Sequence, residues 1–182
     1  MSVYANILFV HFAAMVCLFI GYGLEWVSTA RLRRANTGNA ARTWLGTYRI
    51  SLPLSGPALL VLILSGGYLA GVSGASKEGW VLASILGIVV ALGIGFGLVM
   101  PRMKGIKAAL PEGDAALSAD ALALVQDALI VALIRIRGFL ALGIVYLMTA
   151  KPALVGSCAV LFAAMLVGLV FSAGALSKPA GR

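Results

Sequence analysis

Apolar residues run in five long blocks separated by short polar stretches. The blocks lie at about 4–24, 52–72, 80–100, 130–150 and 153–176. Each holds some twenty residues, the length a helix needs to cross a hydrocarbon core about 30 Å thick. The pattern predicts an all-α fold, a polytopic membrane helical bundle of five transmembrane helices forming a single membrane domain over 1–182. The last two blocks are the hardest to separate, so four helices is the alternative count.

Punctuation inside the pattern refines the elements. Tyr48 and Arg49 open the second helix, and Pro53 and Pro57 fall in its first turns, where they either shape the helix start or unwind it around a ligand. Pro101 and the basic residues Arg102, Lys104 and Lys107 end the third. Ser118 or Asp120 is the expected N-cap of the next helical stretch. Leu122–Ile134 can then begin along the membrane interface before the chain turns inward. Lys151-Pro152 marks the turn into the last helix, because the residue before a proline leaves the helical region.

Composition agrees and decides the class. Hydrophobic residues make up 62 % of the chain and charged residues 11 %, with a mean hydropathy of +1.05. A water-soluble core cannot hide such an excess of apolar side chains. The net charge of +8 then speaks for loops that meet anionic lipid, since no basic face interleaved with aromatics supports nucleic-acid binding. Arg31, Arg33, Arg34, Arg42 and Arg49 crowd the first loop region without an acid, three basic residues start the third loop, and the tail holds Lys178 and Arg182. The positive-inside rule therefore predicts loops one and three and the C-terminus in the cytoplasm, with the N-terminus outside. No basic n-region or small-residue cleavage site precedes the first block, so it reads as a retained helix and not a signal peptide. Cys17 and Cys158 sit in apolar runs and read as packing residues.

The candidate chemistry is a stripe. At 100° per residue, His11, Met15, Leu18, Tyr22 and Glu25 share a face about 80° wide on the first helix. Polar groups there are costly in lipid and must face helices, water or a cofactor. His11, the only histidine, hydrogen-bonds a neighbouring helix, relays protons or ligates copper or a haem, haem b above all, that is five-coordinate, shared across a dimer or held by Met15, Met148 or Met165 as a second ligand, with Tyr22 beside it as a further cofactor-binding candidate. Glu25 either makes an ion pair at the cytoplasmic interface or forms a buried proton or substrate site; Arg49, Arg135 and Arg137 are its candidate partners. His11 and Glu25 lie about 21 Å apart along the helix, too far for one shared site. Met100 and Met103 could bind Cu(I), although two thioethers alone make a poor site. Gly67/Gly71, Gly93/Gly97 and Ala164/Gly168/Ser172 carry small residues four apart, suited to close helix packing or to a substrate path or dimer contact. No hydrolase, metalloprotease or nucleotide-binding motif is present in a usable context.

The segment His11-Phe-Ala-Ala-Met-Val-Cys-Leu-Phe-Ile-Gly21 followed by arginines, with Val99-Met-Pro-Arg-Met103 and Leu147-Met-Thr-Ala-Lys-Pro152, resembles a small bacterial integral-membrane family of unknown function near the copper-resistance D proteins. In outline it is also similar to the small helical protoporphyrinogen oxidases, which use a helix-one histidine in haem-linked chemistry. That resemblance implies a ligand role for His11, but the chain lacks their second histidine and their aromatic, proline-rich stretch after helix one. The function expected is a non-catalytic membrane partner, assembly factor or small-solute conduit in the lipid bilayer, associating with another membrane protein or as a homodimer. Haem-binding redox chemistry through His11 and copper handling are the alternatives. Haem ligation by His11 predicts a Soret band in the detergent-purified protein that His11→Ala abolishes, checked by oxidised and dithionite-reduced spectra.

Overall fold

The computed structural model describes residues 2–176, and Lys178 and Arg182 of the tail lie outside them. Among the described residues the regular structure is helical, with one isolated antiparallel bridge between Thr37 and Ala116. Helix α1 spans Val3–Leu32 and α2 spans Gly38–Val72. Each opens on a hydroxyl cap, Ser2 and Thr37, that accepts a hydrogen bond from the N–H three residues on. A third rod is built of α3 (Gly79–Leu92), a π-helical turn (Gly93–Val99) and α4 (Met100–Ala109). The short α5 (Ala119–Val125) precedes α6 (Ala128–Ala150) and α7 (Leu154–Leu176). Among the described residues five helical rods are long and apolar enough to cross a membrane, in line with the five expected and not the alternative four.

The helices run beyond the apolar blocks. α1 carries Arg31, and α2 begins fourteen residues before the second block, so Tyr48 and Arg49 lie inside it. Pro53 and Pro57 also lie within α2, with the helix unbroken around them. Each removes one backbone donor, leaving the Arg49 and Pro53 carbonyls without their i+4 partner. Beside that gap the Ser51 hydroxyl donates to the Tyr48 carbonyl at 2.6 Å and Ser55 to the Ser51 carbonyl at 2.9 Å. Pro101 does not end the third rod either, because the helix continues to Ala109. A normal α-turn would drive the proline ring against the Gly97 carbonyl, and the wider π-turn just before it gives the ring room.

The fourth membrane rod is broken. Ser118 caps α5 by accepting from the Ala121 N–H at 3.2 Å, and the Asp127 carboxylate starts α6 by accepting from the Leu129 N–H at 2.9 Å. Lys151 takes a left-handed conformation with φ 47° and closes α6 ahead of Pro152.

The most extensive packing is α1 on α2 and α6 on α7; α3 lies on α6 and α7, and α1 touches α6. A Cβ at Gly168 would stand 2.7 Å from the Ile136 Cα, so α6 and α7 approach backbone to backbone there. Ser172 donates to the Gly168 carbonyl at 2.7 Å, and a Cβ at Gly143 would sit 3.0 Å from Ala164. The small residues of α7 therefore serve packing within the chain. Gly67, Gly71, Gly93 and Gly97 do not: nothing lies within 4 Å of a Cβ built on any of them.

The end of the bundle rich in arginine is laced by its loops. The Gly38 N–H donates to the Ala115 carbonyl and the Leu117 N–H to the Asn36 carbonyl. The Arg42 guanidinium donates to the Pro111 carbonyl. Beneath them a core forms from Leu32, Leu45, Met103, Ile106, Val125 and Ile134.

Because the α6–α7 contact has no room for a side chain, Gly168→Val is expected to destabilise by about 1–3 kcal/mol. Gly67→Ala, in open space inside α2, should not destabilise and is expected to gain up to about 1 kcal/mol. Thermal unfolding of the two variants in the same detergent checks the contrast.

Candidate functional site

The stripe on α1 faces inward along its length: His11, Leu18, Tyr22 and Glu25 are buried and Met15 is half-buried. At one end His11 meets α2. Its Nδ1 lies 2.8 Å from the Ser65 Oγ. The Ser65 hydroxyl donates to the Val61 carbonyl at 2.6 Å, which leaves its oxygen to accept from the ring N–H. Gly66 completes the fit, since a Cβ there would stand 3.1 Å from the imidazole Cε1. His11 thus forms part of the α1–α2 seam.

At the other end lies the charged centre. The Glu25 side chain is 1 % exposed and that of Arg137 11 %, and the Arg137 Nη2 stands 3.2 Å from each carboxylate oxygen. The hydrogen-bond geometry is met at Oε1, while Oε2 has no donor aligned on it. The guanidinium also lies over the Tyr22 ring, 4.8 Å from its centroid. Space for it is cut by glycine: a Cβ at Gly95, in the π-turn, would sit 3.1 Å from Nη1. On the next position of α6, Gly138 receives the Trp26 ring, 2.8 Å from where its Cβ would be. Trp26 in turn donates from Nε1 to the Ile134 carbonyl at 3.4 Å, so α1 is keyed to α6 on both sides of the pair.

The other candidate partners go elsewhere. Arg135 donates to the Phe171 carbonyl of α7, as its position 200° around α6 from Arg137 requires. Arg49 is exposed on α2 and does not join the pair. Sequence reasoning left all three arginines as candidate partners of Glu25; only the way α6 turns toward α1 separates them.

Beside the pair is a cavity of about 170 Å³. Leu18, Tyr22 and Glu25 of α1, Tyr48 and Ser55 of α2, Gly95 and Phe96 of the π-turn, Met100 and Arg137 are among its walls. The sequence reading gave Tyr48 only as the start of the second helix and Gly93/Gly97 only as a small-residue pair, and did not join either to the Glu25 site. The run Gly93-Ile-Gly-Phe-Gly97 ahead of Pro101 was the available signal, because glycines before a proline mark a place where a helix can widen.

The residues around this cavity do not fit a haem. His11 is not among its walls, and its volume is well under the roughly 300–1,000 Å³ typical of pockets for larger ligands. Met148 and Met165 pack among α3, α6 and α7, away from the His11 seam. The two methionines proposed for copper also part company: Met100 lines the cavity, whereas Met103 is buried in the core at the arginine-rich end. Among the described residues no group of three histidine, cysteine, aspartate or glutamate side chains is placed to hold a metal ion.

The model of a family described as predicted integral membrane proteins, DUF2269, matches residues 5–152. The chain belongs to this family. The match takes in α1 to α6, hence both partners of the ion pair and every wall of the cavity, and stops before α7. With the five apolar rods, membership makes the chain an integral membrane protein. No curated protein and no solved structure matches it.

A buried pair broken on one side leaves an uncompensated charge. Arg137→Met is therefore expected to cost about 3–5 kcal/mol, and Glu25→Gln with Arg137→Met together distinctly less than Arg137→Met alone. Unfolding of the two variants in detergent, read by circular dichroism, checks the order.

Proposed function

We propose that the chain is a non-catalytic, multi-pass protein of the bacterial inner membrane that takes a small solute at the cavity beside Glu25 and Arg137, with α1 as its working face. The observation that supports this reading is a charged pair at the wall of a cavity and not in a filled core. An ion pair is a poor way to stabilise a membrane bundle, because desolvation offsets most of the attraction. Ionisable groups at that position mark a pathway or a binding site more often than packing. The polar stripe is turned inward, which favours a solute over a protein partner; an assembly role would use the outer surface. The orientation follows the same rule as before: Arg31, Arg33, Arg34, Arg42, Lys104 and Lys107 gather at one end, which faces the cytoplasm, with the N-terminus outside.

A cavity that takes solutes is open to a small neutral reagent. In a background without Cys17 and Cys158, Ser55→Cys lines the cavity, and Ser65→Cys is buried against His11. Methyl methanethiosulfonate is expected to modify the folded Ser55→Cys protein and to spare Ser65→Cys, as read by intact-protein mass. Equal protection of both overturns the reading.

A further inference from the structure

One charged cluster lies apart from the ion pair and the cavity, toward the arginine-rich end. It joins Arg33, just past the end of α1, with Arg102 of α4, Asp127 at the cap of α6 and Arg135 within α6. Arg102 Nε stands 3.5 Å from the Asp127 carboxylate, and the two side chains are 35 % and 32 % exposed. Arg33 and Arg135 are half-buried. All four are therefore within reach of a ligand outside the bundle. Arg33 is close enough to Asp127 and Arg135 to feel their charge. Burial, and then Arg135, push its guanidinium below the ordinary arginine range, against a smaller upward pull from Asp127. Like charges are thus crowded here, and Asp127 can balance only one of three guanidiniums.

The cluster keeps donors for an anion, since the N–H groups of a guanidinium outnumber the contacts made here. Among the described residues Arg102 is engaged through Nε and Nη1, and Arg135 through Nη1. The bonds they make show what borders the cluster. Arg102 donates to the Leu98 carbonyl at 2.9 Å, Arg135 to that of Phe171, and Asp127 accepts from the Leu129 N–H. Leu98, Leu129 and Phe171 all have exposed side chains. Arg102 and Asp127 also stand just outside the apolar blocks at 80–100 and 130–150, where a membrane helix passes from hydrocarbon to headgroups. Guanidiniums edged by exposed apolar side chains at that boundary match a molecule with an anionic head and an apolar body. We propose that Arg33, Arg102 and Arg135 hold the phosphate of an anionic phospholipid whose chains lie against Leu98, Leu129 and Phe171. The planar fork of a guanidinium pairs with two phosphate oxygens, which makes this a site and not only a basic surface. It does not depend on the solute-binding role of the cavity.

The test uses the full chain in an uncharged detergent and reads bound lipid by native mass spectrometry. Phosphatidylglycerol is titrated against phosphatidylcholine with the same acyl chains. Phosphatidylglycerol is expected to bind about ten-fold more tightly, through the attraction of its net charge to the surplus cations. Inorganic phosphate at the same concentration should not displace it, because it lacks the apolar body. Arg102→Lys and Arg135→Lys keep every charge and lose the planar fork. Each is expected to weaken phosphatidylglycerol binding about ten-fold, the worth of one hydrogen bond to a charged group. The double variant Lys104→Gln with Lys107→Gln removes two exposed charges from the same end and should weaken binding less. A larger loss in that double variant than in the Arg→Lys variants means a diffuse basic surface and overturns the site. Equal binding of the two lipids, or displacement by inorganic phosphate, overturns the anionic phospholipid. These last two readouts use the unmodified chain and decide the matter even where an arginine variant fails to fold.

Discussion

A carboxylate on α1 and a guanidinium on α6, 112 positions apart in sequence, share one buried contact, and much of the surrounding architecture serves it. Buried as they are, either charge left without the other would cost several kcal/mol, so the pair ties α1 to α6. Trp26 on Gly138 and Arg137 over Tyr22 reinforce the same junction. The guanidinium reaches its place because Gly95 presents bare backbone to it, and Gly95 belongs to the π-turn. The ion pair, the missing side chain and the widened helix form one arrangement.

The helical irregularities fall around this centre. Pro53 and Pro57 lie in the stretch of α2 that supplies Tyr48, Leu52 and Ser55, and the π-turn ahead of Pro101 supplies Gly95 and Phe96. Backbone that departs from the α-helix is tolerated at membrane depth where it is covered by protein or lines a cavity. Neighbouring serine hydroxyls hydrogen-bond carbonyls beside the proline gaps in α2. The regular helix α7 packs through small residues and adds no wall to the cavity.

The other end of the α1 stripe shows what a polar membrane residue does without a cavity. His11 meets Ser65 and Gly66, its ring N–H is satisfied, and the contact joins α1 to α2. Two polar residues on one helical face thus do different work, one closing a seam and one bordering a space. At the arginine-rich end, bonds from Gly38, Leu117 and Arg42 tie the first and third loops together and hold the rods in register.

By itself the sequence determined the class, the five apolar rods, a cap at Ser118 or Asp120, the Lys151 turn and the inward face of α1. All of these are local: hydropathy, helical period and capping act over a few turns of one helix. Three arginines stood as candidate partners of Glu25 in that reading, and two glycine pairs stood beside Ala164, Gly168 and Ser172 as sites of packing or of a substrate path or dimer contact. Tertiary structure chose Arg137 over Arg135 and Arg49, and Gly168 over Gly67 and Gly93, because those choices depend on which faces of separate helices meet. It also kept α2 intact through its prolines and widened the third rod at 93–99, where a proline read alone signals an end. Whether a helix continues past such a residue depends on the neighbours that take up its freed groups, and a single helix does not specify its neighbours.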